Sequence, residues 1–138
     1  MVISKRIQLN TKGNSQILDI TSEVRRQVQS ADLEAGIVTL FTPSATSALT
    51  TIEFESGAVN DLQQLFERIA PQGIEYRHNL RWGDGNGHSH VRHALIGPSL
   101  TIPFVEGQLT LGTWQQVVFI DFDVRSRSRS VILQIMGE

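Results

Sequence analysis

The stretch that decides the fold is Trp114-Gln-Gln-Val-Val-Phe-Ile-Asp-Phe-Asp123, followed by Val124-Arg-Ser-Arg-Ser-Arg129 and the apolar run Ser130–Met136. In its first part Trp114, Gln116, Val118, Ile120 and Phe122 alternate against Gln115, Val117, Phe119, Asp121 and Asp123. Side chains along a strand point to opposite faces with period two, so this pattern predicts a strand, with Trp114 in the core. Ser130–Met136 is apolar except for Gln134, as in a strand covered on both faces. Upstream, Leu100, Ile102 and Phe104 alternate, Glu106-Gly107 turns, and Leu109–Leu111 returns. Everything after Pro98 reads as strand.

Towards the N-terminus strands and helices mix. Val2–Asn10 is β-rich, and Ser15–Ile20 is its expected partner across the Lys12-Gly13-Asn14 turn. Thr21–Gln29 reads as a short helix, with Thr21 or Ser22 as cap and Glu23 at the positive end. Gly36–Phe41 is a strand candidate. Ala48–Glu55 is another, placing Leu49, Thr51, Glu53 and Glu55 on one face, where two carboxylates need water or a positive partner. In Ala58–Ala70 the residues Val59, Leu62, Leu65, Phe66 and Ile69 form a helical stripe that Pro71 and Gly73 end. Ile74–Leu80 reads as weakly extended, residues 83–87 as a glycine-rich loop, and His88–Ile96 as a short helix. Without strict βαβ alternation, the expected class is α+β: β-sandwich-like, with largely antiparallel sheets and two to three flanking helices.

Length and composition narrow the function classes. At 138 residues, 40% AVILMFWYC and 19% charged, one domain spanning 1–138 is expected. Zero Cys excludes disulfides, thiolate metal sites and a cysteine nucleophile. A net charge of −2 argues against nucleic acid as a partner, because such binding rests on neutralising many phosphates. The longest apolar run, Val117–Ile120, is far too short for a membrane span, and no signal peptide is readable at Met1–Arg6. A cytoplasmic location is the expectation.

The special residues cluster. All four histidines fall between positions 78 and 93. Gly83-Asp-Gly-Asn-Gly-His-Ser-His90 has three alternating glycines, which can turn backbone N–H groups towards an anion; a tight loop without a ligand is the plain alternative. On a strand His88 and His90 would share a divalent metal, whereas on a helix His90 and His93 would be neighbours. Asp84, Glu53 or His78 could complete a three-ligand site of the kind that activates water or polarises a phosphate; capping and surface imidazoles are the other reading. Arg125, Arg127 and Arg129, if extended, form one stripe suited to clamping a phosphate, or a solvated edge that discourages strand pairing. Gln115 opens the polar side of its strand. No nucleophile elbow, His-Glu-x-x-His or P-loop is present.

At these residues the sequence resembles the YjbQ-like family, usually labelled secondary thiamine-phosphate synthase. The matching segments are Thr46–Glu53, Gly83–His90, Gly97-Pro-Ser-Leu-Thr-Ile-Pro-Phe104, Leu111-Gly-Thr-Trp-Gln115 and the Arg-rich end before Gly137-Glu138. The resemblance implies an α+β fold built on a β-sandwich, a homotrimer, and a polar cluster at His78, Asp84, Asn86, His90, Gln115, Arg127 and Arg129. It also implies a small phosphorylated ligand, with an aminopyrimidine diphosphate joined to a thiazole phosphate. Asn86, Gln115, Arg127 and Arg129 would then hold phosphate, with His78, Asp84, His90 and Glu53 as catalytic candidates. His78, His90 and Asp84 would be the ligands of a divalent metal, zinc or magnesium. A metal-dependent hydrolase and a non-catalytic small-molecule binding protein are the alternatives. Many members carry a His just before the Thr/Ser-Ala segment, where this chain has Pro43-Ser44-Ala45.

Overall fold

A computed structural model describes residues 1–138. Its larger sheet runs β1 (Val2–Thr11), β8 (Arg127–Gly137), β3 (Ala35–Phe41), β5 (Ser99–Val105) and the two-residue β6 (Gln108–Leu109). Its smaller sheet places β7 (Gln116–Asp121) between β2 (Gln16–Asp19) and β4 (Ser47–Ile52). Every pairing is antiparallel. The helices are α1 (Thr21–Ser30), α2 (Ser56–Ile69), α3 (Arg77–Trp82) and α4 (Gly87–Ile96). The α+β, antiparallel, layered class stands, with four helices. None is long and apolar enough to cross a membrane.

Two cores share β7. Val117 and Phe119 join Leu49, Val24, Val28 and the inner residues of the larger sheet, Val38, Leu40, Val131, Leu133 and Ile135. Val118, Ile120 and the following Phe122 join Ile17, Ala48 and Phe66 of α2. The Phe66 and Phe122 rings meet edge to face at 4.9 Å. β7 is therefore the strand covered on both faces. β8, expected in that role, is covered on one: Val131, Leu133 and Ile135 are buried, while Gln134 and Met136 are exposed. Local hydrophobicity could not separate the two, because both strands are apolar and only layer position distinguishes them.

Other expectations also change. β2 does not pair with β1. Gly13, Asn14 and Ser15 take successive left-handed conformations, with φ of 77°, 55° and 62°. A two-residue hairpin turn would lay β2 beside β1. Instead, the Asn14 and Ser15 amides donate to the carbonyls of Asp123 and Asp121, delivering β2 to β7. Ile74–Leu80 is not extended: helix α3 begins at Arg77, and Gly83, at φ +65°, closes it by donating its N–H to Asn79 O. β4 ends at Ile52, and Glu55 lies beyond it as the cap of α2, its carboxylate accepting from Gly57 N. Trp114 is 71% exposed, because β7 starts only at Gln116 and the Gln115 N–H turns back to Gly112 O.

Candidate functional site

The C-terminal end of β7 gathers charge. Asp121 and Asp123 keep the strand's parity and are both buried, at 0% and 2% exposure. The start of β8 brings Arg127 and Arg129 opposite them. Arg129 donates Nε to Asp121 Oδ2 at 2.7 Å and Nη2 to Asp121 Oδ1 at 3.1 Å, a two-point pair. Thr11 Oγ1 and the Asp123 N–H complete the Asp121 carboxylate at 2.6 and 3.0 Å. Asp123 Oδ2 accepts from Arg127 Nε and from Thr46 Oγ1, both at 3.1 Å. Arg129 Nη2 holds Thr46 in turn at 2.7 Å.

The arginines differ in what they leave free. Arg129 is committed to Asp121, Thr46 and, at 3.4 Å, Asp123 Oδ2, with its side chain 14% exposed. Arg127 is 34% exposed and held only through Nε, leaving its Nη groups without a protein partner. It lines a cleft of about 270 Å³ with Asp84, Asn86, Asp123, Val124 and Arg125. Burial pushes the Asp123 carboxyl up, but hydrogen bonds led by Arg127, with that guanidinium's charge, outweigh it and hold the group below its ordinary range. Asn86 contributes to this lowering without meeting Asp123 Oδ1 in hydrogen-bond geometry.

α3 and α4 supply the remaining groups. The Gly87 N–H donates to Asn79 Oδ1 at 2.8 Å, and a Cβ on Gly87 would stand 2.5 Å from Tyr76 Cβ, so a glycine lets the two helices approach. Asp84 Oδ1 accepts the Asn86 N–H at 3.1 Å, shaping the connecting loop. Ser89 Oγ lies 2.6 Å from both Asn86 Oδ1 and Phe122 O, tying α4 to the end of β7. The His78 and His90 rings stand 4.3 Å apart, and His78 Nδ1 is 3.5 Å from Asp84 Oδ1 without being aligned for a hydrogen bond. Burial, then the neighbouring His78, lowers the His90 pKa and keeps that imidazole neutral.

The helix also separates histidines. His88 and His90 are two residues apart on α4, about 200° around its axis, and do not face one ligand. His88 is 1% exposed, its pKa lowered by burial and then by Arg92, which is itself pinned to Ala70 O, Ser15 Oγ and Glu67 Oε2. His93 Nδ1 lies 2.5 Å from Ser47 O. His93 follows one turn along the same helix and adds to the lowering of the His90 pKa, as the helical reading of the spacing expects, and His78 from α3 stands beside His90 as well.

Of the sequence-identified residues, His78, Asp84, Asn86, His90, Arg127 and Arg129 therefore gather at one end of β7. Glu53 and Gln115 lie at the other. Ser47 pairs with Asp121 and Ile52 with Gln116, so the strand separates the two groups by roughly 17 Å. Gln115 bonds Thr51 Oγ1 and Gly112 N beside a different cavity, of about 310 Å³, and Glu53 is exposed. No three His, Asp or Glu side chains converge on a point that would hold a metal ion. Asp121, Asp123 and Thr46 were not singled out from sequence. The usable signal was Asp121-x-Asp123 followed by Arg127-x-Arg129, acids and bases with the same two-residue spacing.

Residues 5–138 match the family model described as UPF0047 protein YjbQ-like. A UPF0047 protein from Archaeoglobus fulgidus is 37% identical over 130 residues, covering 94% of this chain and 98% of its own. A hypothetical protein from Aeropyrum pernix superposes with a TM-score of 0.92 at 31% identity, covering 99% of both chains. A YbjQ-like protein of unknown function from Sulfolobus solfataricus superposes at 0.90 with 25% identity over the full length of both.

Proposed function

The chain belongs to the UPF0047 YjbQ-like family, and from that premise we propose that its β7-end cleft takes a small phosphorylated molecule and supports thiamine phosphate formation. The observation that carries this reading is Arg127: its Nε is fixed by a buried carboxylate and its Nη groups are unclaimed beside the cleft. A guanidinium held this way is preorganised for phosphate oxygens and costs little further ordering on binding.

The chemistry joins an aminopyrimidine diphosphate to a thiazole phosphate. Diphosphate leaves with the electron pair of its bond to the pyrimidine methylene, and the thiazole nitrogen captures the resulting cation. Arg127, with Arg125 on the same wall, stabilises charge gathering on the leaving diphosphate. Arg129 acts through Asp121 and Thr46 to hold that wall in place. His78 and His90 do not line the cleft themselves; they adjoin its wall through Asp84, and on this reading they serve as proton-exchanging candidates beside the bound ligand. The test is product formation from the two phosphorylated precursors by purified protein. Turnover well above that of His90→Ala supports the proposal, and equal rates sink it.

His78 Nδ1, buried and unpartnered near Asp84, favours a second reading as a metal-dependent hydrolase. Two imidazoles and a carboxylate suit zinc in chemistry, and magnesium would draw on the carboxylates. They do not converge as they stand, so no step above runs through a metal. Stoichiometric metal in untagged protein, lost in His78→Ala, would favour the hydrolase. On the same family premise the working particle is a homotrimer. The outer face of the larger sheet supports a subunit contact there, with exposed Val2, Ile37, Phe41, Val105 and Met136 directed away from the core.

A further inference from the structure

One polar atom of the cleft has no partner. Asp123 Oδ1 belongs to a residue 2% exposed and receives no aligned hydrogen bond, the Asn86 side chain acting on the carboxylate without closing one, whereas Oδ2 takes Arg127 Nε, Thr46 Oγ1 and, at 3.4 Å, Arg129 Nη2. Leaving a buried acceptor unsatisfied is unfavourable, and more so for a charged group. The carboxyl is also held below its ordinary range, so it stays ionised near neutral pH and does not supply its own proton.

The cleft wall carries both signs, with Asp84 and Asp123 facing the same space as Arg125 and Arg127. A plain phosphate ester would engage the guanidiniums and leave Asp123 Oδ1 bare, beside added negative charge. A ligand with an amino group a few bonds from its phosphate would satisfy both halves. At about 270 Å³ the cleft is just below the range usual for drug-sized ligands, which suits a small ester.

We propose that Asp123 is a specificity-determining residue: its Oδ1 accepts a hydrogen bond from an amino group on a ligand whose phosphate lies against Arg127. The cleft thereby selects amino-bearing phosphate esters over esters that lack the donor. This rests on the phosphate reading of the cleft given above. Asp123→Asn separates the two roles. Its amide oxygen can remain with Arg127 and Thr46, which turns the NH2 into the position of Oδ1 and replaces an acceptor by a donor.

Calorimetric titration of the full chain with 2-aminoethyl phosphate, ethyl phosphate and inorganic phosphate tests it. Wild type should bind the amino ester roughly tenfold more tightly than ethyl phosphate, the usual scale of one charge-assisted hydrogen bond. Asp123→Asn should lose that preference and bind inorganic phosphate as tightly or more so, having lost a negative charge. Equal binding of the two esters by wild type overturns the proposal, as does a preference that survives in Asp123→Asn. Binding of none of the three by wild type overturns the phosphate reading itself. Should Asp123→Asn fail to fold, the wild-type comparison of the two esters still decides.

Discussion

Arg127 and Arg129 stand two residues apart on one face of β8, yet their burial gives them different work. Arg129 neutralises a carboxylate with 0% exposure, and removing one partner of such a pair leaves a buried charge uncompensated. Arg129→Ala should therefore lower unfolding free energy by about 3–5 kcal/mol in urea titration. Arg127→Ala removes the leading donor of the buried Asp123 but leaves Thr46 and Arg129 on the same oxygen, so it should cost less, about 1–3 kcal/mol. His88 and His90 add a pH dependence. Both are held below 6.5, so between their folded and unfolded pKa values the unfolded chain binds more protons. Their effect is to reduce stability as pH falls below about 6.5, and to cost nothing well above it. Urea unfolding at pH 7.5 and 5.5 should show this loss, and His88→Leu should lose less between the two pH values than wild type. At this scale the sequence was partly legible. The two-residue Arg spacing showed a shared face, but the identity of the partner acids depends on which strand end lies opposite, and spacing carries no such information.

The elements place these residues through close approaches. α4 meets α3 only because Gly87 has no side chain, and that contact carries His90 to His78. Gly87→Ala should cost about 1–3 kcal/mol, the scale of forced overpacking, and should weaken ligand binding by spreading the two imidazoles. Thermal melts and a ligand titration on the same variant check both parts. The helical stripe of Ala58–Ala70 was readable because five apolar residues share one face over three turns. α3 was not, since six residues hold less than two turns of periodicity and its ending depends on a left-handed Gly83. Tertiary hydrogen bonds decide such short segments, as they do the left-handed path of residues 13–15 into β7.

In the whole molecule the proposed site lies at the C-terminal end of β7, where Thr11 and Arg129 of the larger sheet bond Asp121 of the smaller, and β7 runs between both cores to reach it. The α+β class followed from strands and helices mixed without strict βαβ order, and the β5–β6 hairpin from the turn at Glu106-Gly107. Which apolar strand would be central did not, because that is a property of the layers. The proposed homotrimer should give three times the 15.4 kDa chain mass in light scattering, and Phe41→Asp, on the exposed apolar face of the larger sheet, should reduce it. A stable wild-type monomer would contradict that. Arg127, on the proposed reading, makes the β7-end cleft a phosphate site. Calorimetric titration of inorganic phosphate into wild type and Arg127→Ala tests it most directly. Loss of affinity by about tenfold or more in a variant that stays folded is the predicted result; unchanged affinity, or no binding by wild type, would contradict it.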